Sequence, residues 1–140
     1  MLSKRVIRPL EGEFMRVNPH PKTALAEGGV VTKATLRAAE LLGIKNNALS
    51  KIVGVSEPTI SRMRKGDYVL ERGQKAFELA VLFVRFYRSL DAIVGGDKNV
   101  AADWIKNKNT ILDGIPLELI QTVGGLTDVI GYLDSRRAIV

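Results

Sequence analysis

The sequence predicts an all-α protein, because apolar residues recur at helical spacing between glycines and prolines and no segment alternates apolar and polar residues over a useful length. The chain has 140 residues, of which 46% are hydrophobic and 26% charged. That size allows one compact core, or two small helical modules that share one. No internal repeat is evident at a period of about 20 to 50 residues, which argues against a solenoid.

The N-terminal part predicts little regular structure. Residues 1–31 contain three prolines and three glycines, and we interpret them as an arm. Thr32 is a suitable N-cap for a first helix, which Gly43 would end.

Two short helices are predicted next. Asn46 can cap the segment NALSKIV, which would end at Gly54. Ser56 can cap EPTISRMRK, which Gly66 would end, and Pro58 is tolerated because the first helical turn has no intrahelical donors to lose.

The second half predicts a long helix followed by shorter ones. Residues 71–94 are apolar on more than one face, as expected for a central helix that is covered on two sides and extends roughly 36 Å. A glycine pair at 95–96 would end this helix, and Asp97 would open another. Pro116 fits the first turn of a short helix over 116–123, and we expect the glycine pair at 124–125 to separate it from the last helix.

The segment over residues 48–66 has the pattern of a DNA-binding helix-turn-helix. Such a pair needs a small residue where the helices cross and a glycine with positive φ in the turn. Ser50 stands at the crossing, where alanine is commoner, and Gly54 stands in the turn. The apolar anchors that would set the angle between the helices are Leu49, Val53, Val55, Ile60 and Met63.

Inward-facing anchors would turn a polar face outward. Helical geometry places on it Ser56, Glu57, Ser61, Arg62 and Lys65, with Thr59 and Arg64 at its edges. Arginine can bond guanine bidentately in the major groove, and serine or threonine can bond phosphates or base edges. Glu57 would accept a hydrogen bond from cytosine or favour the helix N-terminus. The alternative is a helical hairpin that packs on a core and does not touch DNA.

The positive charge is concentrated in the first half. Residues 1–72 carry 13 Lys and Arg against 7 Asp and Glu, whereas residues 73–140 carry 8 of each. Clustered cations favour a polyanionic partner, because neutralised phosphates release counterions. Solvated surface charge would account for the same composition.

Several functions lack support in the sequence. The chain has no cysteine, and its single histidine, His20, lies in the proline-rich arm without a nearby acidic partner. The glycine pairs lack the flanking residues of a phosphate loop. We therefore expect no catalysis, no cofactor and no metal site.

Without an export signal or an apolar span, a cytoplasmic location without membrane association is expected.

The C-terminal third resembles the toxin-binding domain of the Xre/MbcA/ParS family of antitoxins. The segment is WIKNKNTILDGIPLELIQTVGGLTDVIGYL, and the matching positions are Trp104, Asn109, Leu112, Gly114, Pro116, Leu117, Thr122, Gly125, Val129 and Leu133. Each residue alone is typical of a core or a turn. The ordered set follows a helix-turn-helix and a long helix, as in that family, and the resemblance covers about residues 33–140.

The sequence as a whole predicts three parts of the chain, of which the resemblance covers the last two. They are an arm over 1–31, an Xre-like helix-turn-helix domain over 32–72, and a long helix with a C-terminal toxin-binding and dimerisation domain over 73–140. We further predict a homodimer, because helices that are apolar on several faces bury more than a short chain can cover. Such a dimer would repress its own operon at an inverted repeat in double-stranded DNA, since the symmetry of the site mirrors that of the protein. The resemblance implies neutralisation of a RES-type toxin, whose relatives look like ADP-ribosyltransferases that consume NAD.

The family is thought to block its toxins with the C-terminal region, which here would mean Arg136, Arg137, Ala138, Ile139 and Val140. Two cations and a short apolar tip suit that role, and a frayed terminus is the alternative. Two other functions remain open. One is a stand-alone phage-type repressor whose C-terminal half only dimerises, and the other is an inhibitor whose helix-turn-helix no longer binds DNA.

Overall fold

Seven helices and no strand make up the part of the chain that the computed structural model describes, residues 21–139, with side chains described over 27–138. The all-α prediction is therefore confirmed. The helices are α1 (Pro21–Leu42), α2 (Asn46–Val53), α3 (Glu57–Lys65), α4 (Lys75–Ile93), α5 (Lys98–Lys106), α6 (Pro116–Leu119) and α7 (Val123–Ile139).

Helix α1 begins at Pro21, well before the expected start after Thr32. The prediction of a poorly structured arm is wrong for residues 21–31, while residues 1–20 lie outside the described residues. The prediction failed because it took Gly28 as a sign of irregular structure. An added Cβ at Gly28 would lie 2.2 Å from the Leu70 carbonyl oxygen. This glycine permits close backbone packing inside a helix and does not end one.

Thr32 is not an N-cap. It lies within α1 and is 4% exposed. Its hydroxyl donates to the Gly28 carbonyl at 2.7 Å and accepts from the Leu70 backbone N–H at 3.0 Å. The side chain thus joins α1 to the segment that follows α3, a partner 38 residues away along the chain.

Helices α2 and α3 follow the predicted boundaries closely. Gly54 and Gly66 end them in the left-handed conformation, with φ of 80° and 83°. Ser56 caps α3 by accepting from the Thr59 backbone N–H at 3.2 Å. The predicted cap at Asn46 is wrong, because this residue is the first of α2 and the cap position is Lys45.

Helix α4 is central, as predicted, and packs most extensively against α7, then α1 and α2. It has 19 residues, so it extends about 28 Å, less than expected. The difference arises at its start, where Gly73 has a φ of 94° and a turn precedes the helix. Phe83 and Phe86 are fully buried on this helix, with ring centroids 6.1 Å apart.

The C-terminal helices differ from the prediction at their junction. Asp97 caps α5 through the backbone N–H groups of Asn99 and Val100, as expected. Helix α6 has only four residues, and α7 begins at Val123, so the glycine pair lies inside its first turn. A Cβ on Gly125 would lie 1.8 Å from the Leu119 carbonyl oxygen, so close packing explains this glycine.

Among the helices described, none is both long enough and apolar enough to cross a membrane.

Candidate functional site

The helix-turn-helix is held by buried anchors. Leu49, Val53 and Ile60 are fully buried and Met63 is 3% exposed, while Val55 is partly buried against the same core. Ile52, 2% exposed, is an anchor that the sequence analysis missed. Its apolar spacing on α2 could have shown it.

The turn between α2 and α3 has the geometry that its residues predict. The Ser50 carbonyl accepts from the backbone N–H groups of Gly54 at 2.8 Å and Val55 at 3.1 Å. A Cβ on Gly54 would lie 3.3 Å from Cδ1 of Leu79, so α4 approaches the turn closely. The central helix therefore supports the helix pair at its turn.

The polar face of α3 is largely open to solvent. The exposed members of the predicted DNA-contacting set are Ser56, Glu57, Arg62, Arg64 and Lys65. Ser61 is partly buried, and Thr59 is buried, with 9% of its surface exposed. The structure thus places Thr59 behind this face.

Thr59 instead connects the cap to an arginine. Its hydroxyl lies 2.8 Å from Oγ of Ser56 and accepts from a terminal guanidinium nitrogen of Arg62 at 3.0 Å. Arg62 is thereby oriented on the surface, and its other N–H groups are available to a ligand. Arg62, Arg64 and Lys65 all lie in the last turn of α3, where the helix dipole favours cations.

Arg64 is tied to the other helix of the pair. Its Nε donates to Oδ1 of Asn46 at 2.8 Å, across 18 residues of sequence. Asn46 therefore helps to set the relative position of α2 and α3, a role that its assignment as a helix cap did not predict.

The predicted toxin-binding residues lie at the end of α7. Arg136, Arg137 and Ala138 are exposed and helical, and Arg136 lies 5.9 Å from the centroid of the Tyr132 ring. Ile139 is the last helical residue. Its side chain and all of Val140 lie outside the described residues.

A polar link joins α7 to α4 beside these arginines. Asp134 accepts from a terminal nitrogen of Arg85 at 2.7 Å and from Oγ of Ser89 at 2.9 Å, and Ser89 is 2% exposed. The hydrogen bond from Ser89 has the largest effect on the pKa of Asp134 and lowers it. Burial has the next largest effect and raises the pKa, and the bond to Arg85 and the charges of Arg85 and Arg137 lower it further. Arg85 and Ser89 lie 49 and 45 residues from Asp134 along the chain, so no local signal could have revealed the link.

The positions that carry the resemblance form scaffold. Asn109 Oδ1 accepts from the backbone N–H groups of Ile111 and Leu112, each at 3.0 Å, and its backbone pairs with Gly114. Val129 and Leu133 are buried in the core with 0% and 1% exposure. Val129 and Leu133 therefore support any partner surface in this region from the core, and Asn109 shapes the loop that leads to α6.

Comparison with models of known families gives two matches. Residues 23–85 match the antitoxin Xre-like helix-turn-helix domain. Residues 89–138 match the antitoxin Xre/MbcA/ParS C-terminal toxin-binding domain. No curated protein sequence gives a significant match. The two matched stretches follow each other along α4 and together cover most of the chain.

Proposed function

Because the chain belongs to the Xre/MbcA/ParS antitoxin family, we propose that it neutralises a RES-type, NAD-consuming toxin and represses its own operon. The observation that carries this proposal is the presence of two exposed basic surfaces on the two matched domains. One is the last turn of α3, and the other is the last turn of α7.

For DNA, α3 would enter the major groove. Arg62, which Thr59 holds, would bond a base edge, and Lys65 and Ser56 would bond phosphates or bases. Arg64 would mainly keep α3 in position through Asn46. A homodimer would place one such helix in each half-site of an inverted repeat.

For the toxin, the end of α7 would enter the substrate cleft. Because a cleft that binds the phosphates of NAD is itself basic, Arg136 and Arg137 would pair with carboxylates of the toxin at its entrance. The apolar residues Ala138, Ile139 and Val140 would enter the cleft.

Growth rescue tests the antitoxin function. The gene next to the one that encodes this chain is the candidate toxin gene. It is expressed alone and together with the full chain, and cell growth and NAD content are measured. We expect the neighbour alone to stop growth and deplete NAD, and the full chain to restore both. A toxic neighbour that leaves NAD unchanged would refute the RES assignment. A neighbour without toxicity would instead favour a stand-alone repressor.

Truncation tests the cleft-blocking role of the α7 end. A chain that lacks residues 136–140 is assayed for growth rescue and, in a gel shift, for operator binding. We expect rescue to be lost and operator binding to be unchanged, since α3 is distant in sequence and the deleted residues are terminal. Rescue by the truncated chain would contradict cleft blocking.

A further inference from the structure

A groove between α1, α4 and α7 consists of two adjoining cavities that share the side chains of Arg85 and Arg88. The apolar cavity, of about 340 Å³, is also lined by Val30, Val31, Ala34, Val81 and Val84. The polar cavity, of about 610 Å³, is also lined by Ser89, Asp134, Arg137 and Ala138. We refer to the two together as the Val-Arg groove.

The apolar end exposes large side chains on two neighbouring helices. Val30 on α1 is 67% exposed and Val81 on α4 is 43% exposed. A single exposed valine is ordinary, but several around one cavity form a contiguous apolar patch, which typically marks an interaction site.

The basic end carries an excess of positive charge. Three arginines line it, and its one lining carboxylate, Asp134, already accepts from Arg85 and Ser89. Within the described residues, Arg88 is exposed and forms no ion pair. The groove thus has cations to offer an incoming segment and no spare carboxylate.

We propose that the Val-Arg groove binds an acidic, amphipathic segment of the toxin. Apolar side chains of that segment would cover Val30 and Val81, and its carboxylates would pair with Arg88. This inference rests on the proposed antitoxin function. It extends the toxin contact beyond the matched toxin-binding domain, because Val30, Val81 and Arg88 all lie outside residues 89–138.

Charge complementarity favours this occupant over two others. If the groove faced the same groove of a second copy across a two-fold axis, each arginine end would meet a surface without a spare carboxylate. A DNA backbone would satisfy the arginines but would leave the valine end uncovered.

Affinity for the toxin tests the groove with matched variants of the full chain. Val81→Glu and Arg88→Glu alter the two ends of the groove. Val69→Glu and Lys75→Glu make comparable changes on exposed residues that lie outside both the groove and the matched toxin-binding domain. We expect the first two to weaken toxin binding by at least about tenfold and the controls to leave it within about twofold, with thermal unfolding as a check on folding.

Cross-linking identifies the occupant. The chain has no cysteine, so Val81→Cys can be labelled at a single site with a benzophenone maleimide and irradiated with the toxin. We expect a cross-link to a toxin peptide in which carboxylates alternate with apolar residues at helical or strand spacing.

The outcomes separate this inference from the proposed function. If the wild-type chain binds no toxin, the proposed function fails and the groove inference falls with it. If the wild-type chain binds but both groove variants bind equally well, the groove inference alone is wrong. It is also overturned if the cross-link joins two copies of the chain, or if Arg88→Glu weakens operator binding while toxin binding is unchanged.

Discussion

Two buried threonines, Thr32 and Thr35, lie one helical turn apart on α1 and differ in whether their hydroxyls are hydrogen bonded. They are 4% and 0% exposed. Thr32 joins Gly28 to Leu70, whereas Oγ1 of Thr35 has no hydrogen-bond partner among the described residues. A buried hydroxyl without a partner loses its hydration and gains nothing in return.

The same substitution should therefore have opposite effects at these two positions. Thr32→Val should lower the free energy of unfolding by about 1 to 3 kcal/mol, because it leaves the Leu70 N–H buried without an acceptor. Thr35→Val should be neutral or should raise it by up to about 1 kcal/mol, because it removes an unpaired hydroxyl. Chemical denaturation of the full chain measures both, and equal destabilisation by the two variants would contradict the hydrogen-bond assignment.

The adjacent glycines of α1 provide a second matched pair. Gly28→Ala should destabilise the protein, since its Cβ would meet the Leu70 carbonyl at 2.2 Å, whereas a Cβ on Gly29 meets nothing within 4 Å. Gly29→Ala should instead raise the free energy of unfolding by roughly 0.5 to 1 kcal/mol, the usual gain on replacing a helical glycine. Thermal unfolding compares the two. Stabilisation by both would show that α1 and the Leu70 segment are not in close contact.

The pairing of α4 with α7 combines apolar packing with one charged link. Phe83 and Phe86 on α4 and Leu133 on α7 belong to the buried core. Above them, Asp134 joins Arg85 and Ser89 at a partly exposed position. The link affects how the two helices respond to pH, because the folded state lowers the pKa of this carboxyl below its ordinary value of 3.8.

Acidification should weaken this link in a defined direction. A carboxyl whose pKa is lowered on folding stabilises the protein above its ordinary pKa, and the contribution is lost as the pH falls through the lowered value. The wild type should therefore be more stable than Asp134→Asn at pH 6, and the difference should shrink as the pH is lowered from about 5 to about 2. Denaturation of both proteins across that range measures it, and a difference independent of pH would contradict the ionic contribution.

Over the whole molecule, charge is distributed unevenly between the two halves of the chain. The surplus of Lys and Arg lies in residues 1–72, and residues 73–140 are balanced. The described helix-turn-helix contributes three exposed cations on the last turn of α3. Operator binding should thus depend on salt through this end of the molecule.

Operator affinity should fall by about 0.9 log units per log unit of salt for each phosphate that the protein neutralises. Arg62→Ala should weaken specific binding by about 1 to 3 kcal/mol and change binding to random DNA much less, if Arg62 bonds a base. Arg136→Ala on α7 serves as the control and should leave both unchanged. A flat salt response would refute DNA binding by this surface, and equal losses on both DNAs would make Arg62 a phosphate contact.

The parts of the site that could be predicted depend on local chemistry. A serine that caps α3 and glycines that end α2 and α3 act within a few residues, so their roles are visible in a short segment. The polar face of α3 follows from helical periodicity in the same way. Thr59 was predicted at the edge of this face but is buried, because it lies one helical turn before the anchor Met63 and its hydroxyl contacts Ser56 and Arg62.

By itself, the sequence determined the all-α class, the two short helices of the helix-turn-helix and the central position of α4. It could do so because periodicity, helix caps and left-handed glycines are local properties. Only the tertiary structure decided the early start of α1, the helical glycines at 28 and 125, the link from Asp134 to Ser89 and the Val-Arg groove. The contact of Gly125 with the Leu119 carbonyl depends on the turn between α6 and α7, and the others depend on atoms brought together from distant parts of the chain. A glycine that ends a helix and a glycine that lets another backbone approach look alike in the sequence. Only the position of the second backbone distinguishes the two roles.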